Sequence, residues 1–364
     1  MKAWVLTTFN TPYQLQQLPL PPLTSPHDLL IRVTACSYCH TDAVVAAGTV
    51  TPPSLPHIGC HEYTGTIAAF PSGLTSSHGY TLGDRVAVRG CGNHVCGTCR
   101  ECTTPSAPLA DEPGFSVFCP RAGAGLGVDR DGGFREFAVV DARQVAAVPE
   151  GLGAVQVAPL MCAGLTMYAA LVKSGLRAGE RVGIMGCGGG LGHLGLQFAV
   201  KMGLRTTGVD VKERALELAR GLGTGAEVVD GRGETARGVK ERMGREDGWT
   251  LPSEMGVDAV LILPESQQAF DYAMELVRDG GKVILLSFPP DGFRVAATDI
   301  VFRRISLEGS LIGSNKAMRD MFAFCVEHGV RAKTTQFAFE ELNDLVEAYH
   351  AGTPGKLVID MKLE

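Results

Sequence analysis

The sequence predicts an α/β protein in two parts: a β-rich, barrel-like region with long loops, then a doubly wound parallel sheet covered by helices on both faces. Two observations carry this expectation. Over residues 1–155 short apolar runs are separated by Pro, Gly and Ser clusters, as in an all-β region. From residue 156 the rhythm changes to strand alternating with helix, which argues for a parallel sheet.

In the first region, residues 29–33 and 85–88 are strand candidates. In the second, residues 182–185 form a short buried strand. Leu191, Leu194, Phe198 and Met202 then share one helical face. Residues 205–209 make the next strand and end in Asp210; 213–220 return to helix. Residues 226–229, 257–263 and 282–288 are further strands, and 305–312 can supply a sixth. The tail is mixed. Residues 357–361 make a last strand that rejoins the first region, because the second sheet is already complete. The expected division is therefore 1–155, 156–297 and 298–364, the last part holding the final strand of the parallel sheet and the return.

A chain of 364 residues is too long for one ordinary core, which agrees with two domains. A hydrophobic fraction of 45% and a charged fraction of 20% are ordinary for a soluble globular protein. The net charge of -6 gives no pull toward nucleic acid or anionic membrane. No apolar run approaches the ~20 residues of a membrane span, and no signal peptide is visible, so a cytoplasmic location is expected. Of 11 cysteines, eight lie between Cys36 and Cys119. Without a secretory signal, metal or redox thiolates are expected rather than a disulfide framework.

Gly186-Cys187-Gly188-Gly189-Gly190-Leu191-Gly192 follows a strand and opens a helix. Glycines there let the backbone turn sharply and approach a pyrophosphate, while the helix N-terminus offers free N–H groups. Asp210 lies 20 residues after Gly190, at the end of the next strand. A carboxylate there accepts hydrogen bonds from ribose hydroxyls and repels a 2′-phosphate, which favours NAD over NADP. Arg214 is the counterweight, since it could reach a 2′-phosphate. Several overlapping glycine patterns fit, so the cluster and not one register is the expectation. Asp210 as a plain strand-end acid is the competing reading.

Three segments carry ligand-type residues: Cys36-Ser37-Tyr38-Cys39-His40-Thr41-Asp42, then Gly59-Cys60-His61-Glu62, then Ala158-Pro159-Leu160-Met161-Cys162-Ala163-Gly164. A catalytic zinc takes three protein ligands and keeps a fourth position open. Two thiolates and an imidazole around the dication give a neutral site that polarises an alcohol oxygen and lowers its pKa. Cys36 with Cys39 could instead be a redox pair or a metal half-site. Cys60 could line the pocket or be inert, and His57 could serve a loop or a substrate pocket. Cys96, Cys99 and Cys102, at two-residue gaps and followed by Cys119, suggest a closed four-thiolate structural zinc; Cys91 competes for the fourth place.

Taken together, Cys-His-Thr-Asp, Gly-x-His-Glu, the Leu-x-Cys-Ala-Gly segment, the cysteine cluster and the Rossmann half in its usual order resemble the zinc alcohol dehydrogenases of the medium-chain dehydrogenase/reductase superfamily. The resemblance spans essentially the whole chain and implies a GroES-like catalytic domain before the Rossmann domain. It also implies roles: Cys39, His61 and Cys162 as catalytic zinc ligands, and Thr41 as the hydroxyl that bonds the substrate oxygen. Asp42 would orient the ligating histidine, Glu62 would help ligand exchange, and His40 would touch the cofactor pyrophosphate. Two zincs per chain, NAD(H), a small-molecule alcohol or carbonyl substrate and a homo-oligomer (dimer or tetramer, paired through residues 288–305) are further implications. An NAD(P)H-dependent carbonyl or enone reductase of secondary metabolism is the alternative enzyme. A non-catalytic zinc- or cofactor-binding relative is the alternative from another class.

The chain departs from that pattern in three places. Cys119 follows Cys102 by 17 residues where the family has about eight, so residues 103–118 contain an insertion. Val44 stands where the family often has the histidine that ends the proton relay. Lys356 replaces an arginine that contacts the pyrophosphate, keeping the charge but losing the bidentate fork.

Overall fold

The computed structural model describes residues 1–50, 52, 54–104, 112, 114–122 and 125–363. The chain forms two compact units: Met1–Leu165 together with Gly313–Glu364, and Thr166–Ile312.

The second unit is built on a six-stranded sheet. Its order is Glu227–Asp230, Arg205–Asp210, Arg181–Met185, Val257–Ile262, Val277–Leu285, Ser306–Gly309, and every neighbouring pair is parallel. The chain starts in the middle, winds outward one way, then returns to wind the other way. The order reverses beside Arg181–Met185, where doubly wound folds bind their ligands. All of Arg181–Met185 is buried, because helices cover both faces of a parallel sheet. Each fully buried Val or Ile side chain there contributes about 1.5–3 kcal/mol. The covering helices begin on side-chain caps: Thr235 accepts from Gly238 N, and Ser266 from Ala269 N.

The first unit holds a seven-stranded sheet. Its main path is Thr334–Phe337, Lys356–Asp360, Asp28–Tyr38, Glu62–Ala69, Arg85–Arg89, Val145–Ala147, with Phe137–Asp141 pairing the start of Asp28–Tyr38. The C-terminal strand Lys356–Asp360 runs antiparallel to Asp28–Tyr38, with Leu357 opposite Tyr38. The tail therefore supplies a sheet neighbour to the segment that leads into Cys39.

The first unit extends past the expected boundary at residue 155. The reason is packing: Ala154–Pro159 lies on the strands Asp28–Tyr38, Glu62–Ala69 and Lys356–Asp360 of that unit. The return comes at Gly313, after the sixth parallel strand. One expectation needs correction. Within the 21-residue helical stretch Ala154–Ser174, an 18-residue window has a mean hydropathy of 1.7, long and apolar enough to cross a membrane by composition alone. It is 72% buried within the protein, as a core helix is. Residue-by-residue reading missed it because Thr166, Tyr168 and Pro159 interrupt the run without a charge.

Within that stretch the helix widens. Pro159 removes one backbone donor, and residues Leu160–Gly164 form a π turn, closed by the Leu165 N–H on Leu160 O. A Cβ on Gly164 would come within 2.5 Å of the Leu160 side chain, so the wide turn needs glycine there.

Candidate functional site

Three ligand-type side chains converge in the first unit. The strand Asp28–Tyr38 ends at Cys39, whose extended backbone (φ -126°, ψ 164°) caps the helix His40–Ala46. Asp42, fully buried at the third helical position, ties the area together. Its Oδ2 accepts from Cys39 N at 2.9 Å. Its Oδ1 accepts from Cys60 N at 2.9 Å and lies 3.3 Å from His61 Nδ1. Asp42 thus fixes a helix cap, a loop amide and the ring of His61. Cys162 arrives from the π turn.

The Sγ atoms of Cys39 and Cys162 are 4.0 Å apart, and the three ligating atoms lie within 4.8 Å of one another. Tetrahedral zinc with Zn–S near 2.3 Å holds its sulfurs about 3.8 Å apart. His61 Nε2 is buried with no hydrogen-bond partner, while Nδ1 faces Asp42. A buried orphan nitrogen between two thiols costs free energy unless something fills it, and a cation does so. The residues fit zinc.

In the absence of an ion the charges of the cluster lean on one another, and the Cys39 thiolate holds the Cys162 thiol well above its usual range. The hydrogen bond with Cys162 holds the Cys39 thiol well below its usual range, against the effect of burial, with the cations of Lys356 and His61 adding to it. Burial opposes the His61 imidazolium, but Asp42 and the Cys39 thiolate raise it well above an ordinary histidine. Thr41 Oγ1 lies 4.0 Å from Cys39 Sγ.

Glu62 is fully buried beside the cluster. Its Oε1 accepts from Lys356 Nζ at 2.5 Å, and its Oε2 has no partner. Burial pushes the carboxyl up, and the Lys356 ammonium pulls it part of the way back. Lys356, expected at a pyrophosphate, is instead buried against Glu62, and its Nζ also donates to Tyr38 O at 2.8 Å. Its place as the first, inward-facing residue of the strand next to Tyr38 dictates this. His40 is exposed, with Nδ1 2.9 Å from Tyr349 OH.

Cys96, Cys99, Cys102 and Cys119 form the second cluster, with all four sulfurs within 4.8 Å. Backbone N–H groups of Thr98 and Cys99 point at Cys96 Sγ (3.4 and 3.3 Å), and that of Cys96 at Cys119 Sγ (3.3 Å). Such amide donors stabilise thiolates. Cys119, not Cys91, completes the group. Half of the segment 103–118, where the insertion is expected, lies outside the described residues.

In the second unit the glycine register becomes clear. Gly186 has φ +77°, a Cβ on Gly188 would sit 1.9 Å from Ala215 O, and one on Gly192 would sit 2.2 Å from Gly186 O. The obligatory glycines are therefore Gly186, Gly188 and Gly192. Their spacing is one residue longer in its second gap than the usual G-x-G-x-x-G. Gly189 and Gly190 lie inside that longer gap, with Leu191 just before the helix Gly192–Lys201.

Asp210 is 8% exposed. Its carboxylate accepts from Gly188 N (3.0 Å), Val211 N (2.8 Å) and Lys212 N (3.2 Å), so it braces the glycine turn. Arg214 is exposed. Sequence reading missed His193, fully buried, whose Nδ1 lies 3.0 Å from Gly189 O. It also missed the Glu62–Lys356 pair. Only the pairing of the last strand with Asp28–Tyr38 could have signalled that pair.

Comparison with known proteins agrees with this architecture. The family model of the alcohol dehydrogenase GroES-like domain matches residues 25–150, and that of the zinc-binding dehydrogenase matches residues 190–327. An alcohol dehydrogenase of Geobacillus stearothermophilus is 33% identical, the match covering 95% of each chain. Among solved structures, the alcohol dehydrogenase of Aeropyrum pernix is 28% identical with a TM-score of 0.82, over 99% of this chain and all of that one. The acetophenone reductase of Geotrichum candidum, solved in complex with NAD, is 25% identical with a TM-score of 0.81, over 99% of this chain and 96% of that one. The chain belongs to the zinc-containing alcohol dehydrogenases of the medium-chain dehydrogenase/reductase superfamily.

Proposed function

We propose that this chain interconverts an alcohol and an aldehyde or ketone with NAD(H), and that it carries two zincs. Cys39, His61 and Cys162 would hold the catalytic zinc, and Cys96, Cys99, Cys102 and Cys119 the structural one. The observation that carries the reading is His61: Nδ1 on Asp42, Nε2 buried, unpartnered and aimed between two thiols. When bound, zinc supplies a Lewis acid that eases deprotonation of an alcohol oxygen, and the nicotinamide supplies the hydride acceptor.

The chain's own residues do the rest. Asp42 fixes the His61 tautomer and ring orientation. The Thr41 hydroxyl stands beside Cys39 and is placed to take the substrate hydroxyl proton. Val44 offers no titrating group in the next turn, so the proton leaves by another route. Glu62, with one free carboxylate oxygen and Lys356 holding the other, supplies a movable negative charge next to the thiols. Gly186, Gly188 and Gly192 keep the nucleotide turn open to a pyrophosphate. Asp210 favours an unmodified ribose, which supports NAD(H) over NADP(H).

Zinc analysis should give two ions per chain. NADH absorbance with a panel of primary, secondary and aromatic alcohols and carbonyls should show turnover that a chelator removes. Zinc-loaded protein that turns over no member of the panel would sink the proposal. Self-association is proposed through residues 288–305, where Phe288, Val301 and Phe302 are 65%, 65% and 79% exposed. Light scattering on the full chain, with a monomer as the contrary result, tests it.

A further inference from the structure

We propose that His27 and His78 form a surface site for a divalent transition-metal ion of the copper(II) or nickel(II) class, separate from both thiolate clusters. His27 Nδ1 and His78 Nε2 are 2.9 Å apart, with ring centroids at 5.0 Å and planes tilted by 54°. Two nitrogens each ~2.1 Å from one ion lie about 3.0 Å apart at a right angle and about 3.4 Å apart at the tetrahedral angle. The observed spacing matches two adjacent corners of a square-planar or octahedral sphere, the preference of copper(II) and nickel(II) rather than zinc.

The backbone points the same way. His78 opens the turn between the short strands Ser76–Ser77 and Tyr80–Thr81, with φ +51°, and Gly79 follows at φ +82°. That conformation suits Asn or Gly better than His. His27 sits just before the strand Asp28–Tyr38, so the pair links a hairpin tip to the main sheet across 51 residues of sequence.

The local electrostatics leave the rings ready. Burial, then the charge of Arg143, hold His27 below an ordinary histidine, in the neutral form that binds metal. Arg143 itself is balanced by a two-point contact with Asp141, at 2.9 and 2.7 Å. His78 also lines a cavity of about 200 Å³ with Tyr80, Glu112, Arg143 and Arg319. Without an ion, the same distance serves as a hydrogen bond between the two rings.

The zinc-loaded full chain is titrated with nickel(II) by calorimetry, beside His78→Asn and His27→Gln. Asparagine keeps the left-handed turn and removes only the ring. The parent should bind one nickel beyond its zinc. Each variant should bind it at least ~10-fold more weakly, with dehydrogenase activity unchanged. Absence of nickel binding in the parent overturns the proposal. So does equal binding in all three proteins, which would make the ion adventitious, or dependence on only one of the two histidines.

Discussion

The two cysteine clusters solve the same coordination problem in opposite ways. Cys39, His61 and Cys162 come from a strand end, a loop and a π turn, span 123 residues of sequence, and are mostly buried. Asp42 links Cys39 and His61 without any metal, and sheet and helix packing delivers the third ligand. Cys96, Cys99, Cys102 and Cys119 come from one short stretch of sequence, and backbone amides aim at the sulfurs of Cys96 and Cys119. One site is made by the fold; the other helps to make its loop. Their chemistry differs accordingly: a scaffolded site keeps an open coordination position, while a closed one can only hold structure.

The sharpest way to break that contrast is to remove one ligand from each site. Cys162→Ala should lose turnover by roughly 10³-fold or more, because the site's Lewis-acid contribution is several kcal/mol. Its thermal stability should change little, read by steady-state kinetics beside calorimetry. Cys102→Ser should do the reverse. Structural zinc contributes several kcal/mol of folding energy, so the melting temperature should fall by about 10 °C while turnover well below the transition persists. If both variants lost activity and stability alike, the two sites would not be different in kind.

Lys356→Met tests whether the scaffold of the first site includes charge. Leaving Glu62 buried without its partner should cost about 3–5 kcal/mol in denaturant unfolding, less if the carboxyl takes a proton, and Lys356→Arg should recover part of it. The smallest effect should come from Asp42→Asn. It should weaken zinc at the three-ligand site by about 10–100-fold, measured by chelator competition, and leave the four-cysteine zinc untouched.

Much of this was legible before the structure. Strand–helix alternation gave the parallel sheet, because a strand buried on both faces reads as a short apolar run. The two converging groups of ligand-type residues stood out because Cys, His and Asp at fixed offsets are uncommon for other purposes. Glu62 with Lys356 was hidden: a buried lysine shows in a sequence only through its partner, and that partner is 294 residues away. The glycine register was hidden too. Seven consecutive positions hold five glycines, and only the close approaches at Ala215 O and Gly186 O say which of them cannot change. The apolar length of Ala154–Ser174 escaped notice because Pro159 reads as a break, whereas the π turn absorbs it.

That π turn also sets how the chain answers a change of length at one place. Substitutions at Met161 or Ala163 alter packing by a methyl group or two. A π turn holds one residue more than an α turn, so loss of one residue from Leu160–Gly164 would close it into an ordinary turn and leave the apolar face of Leu165–Ser174 in phase. In the gene, an in-frame deletion of one codon there should displace Cys162 from Cys39 and His61 while the packing of Leu165–Ser174 survives.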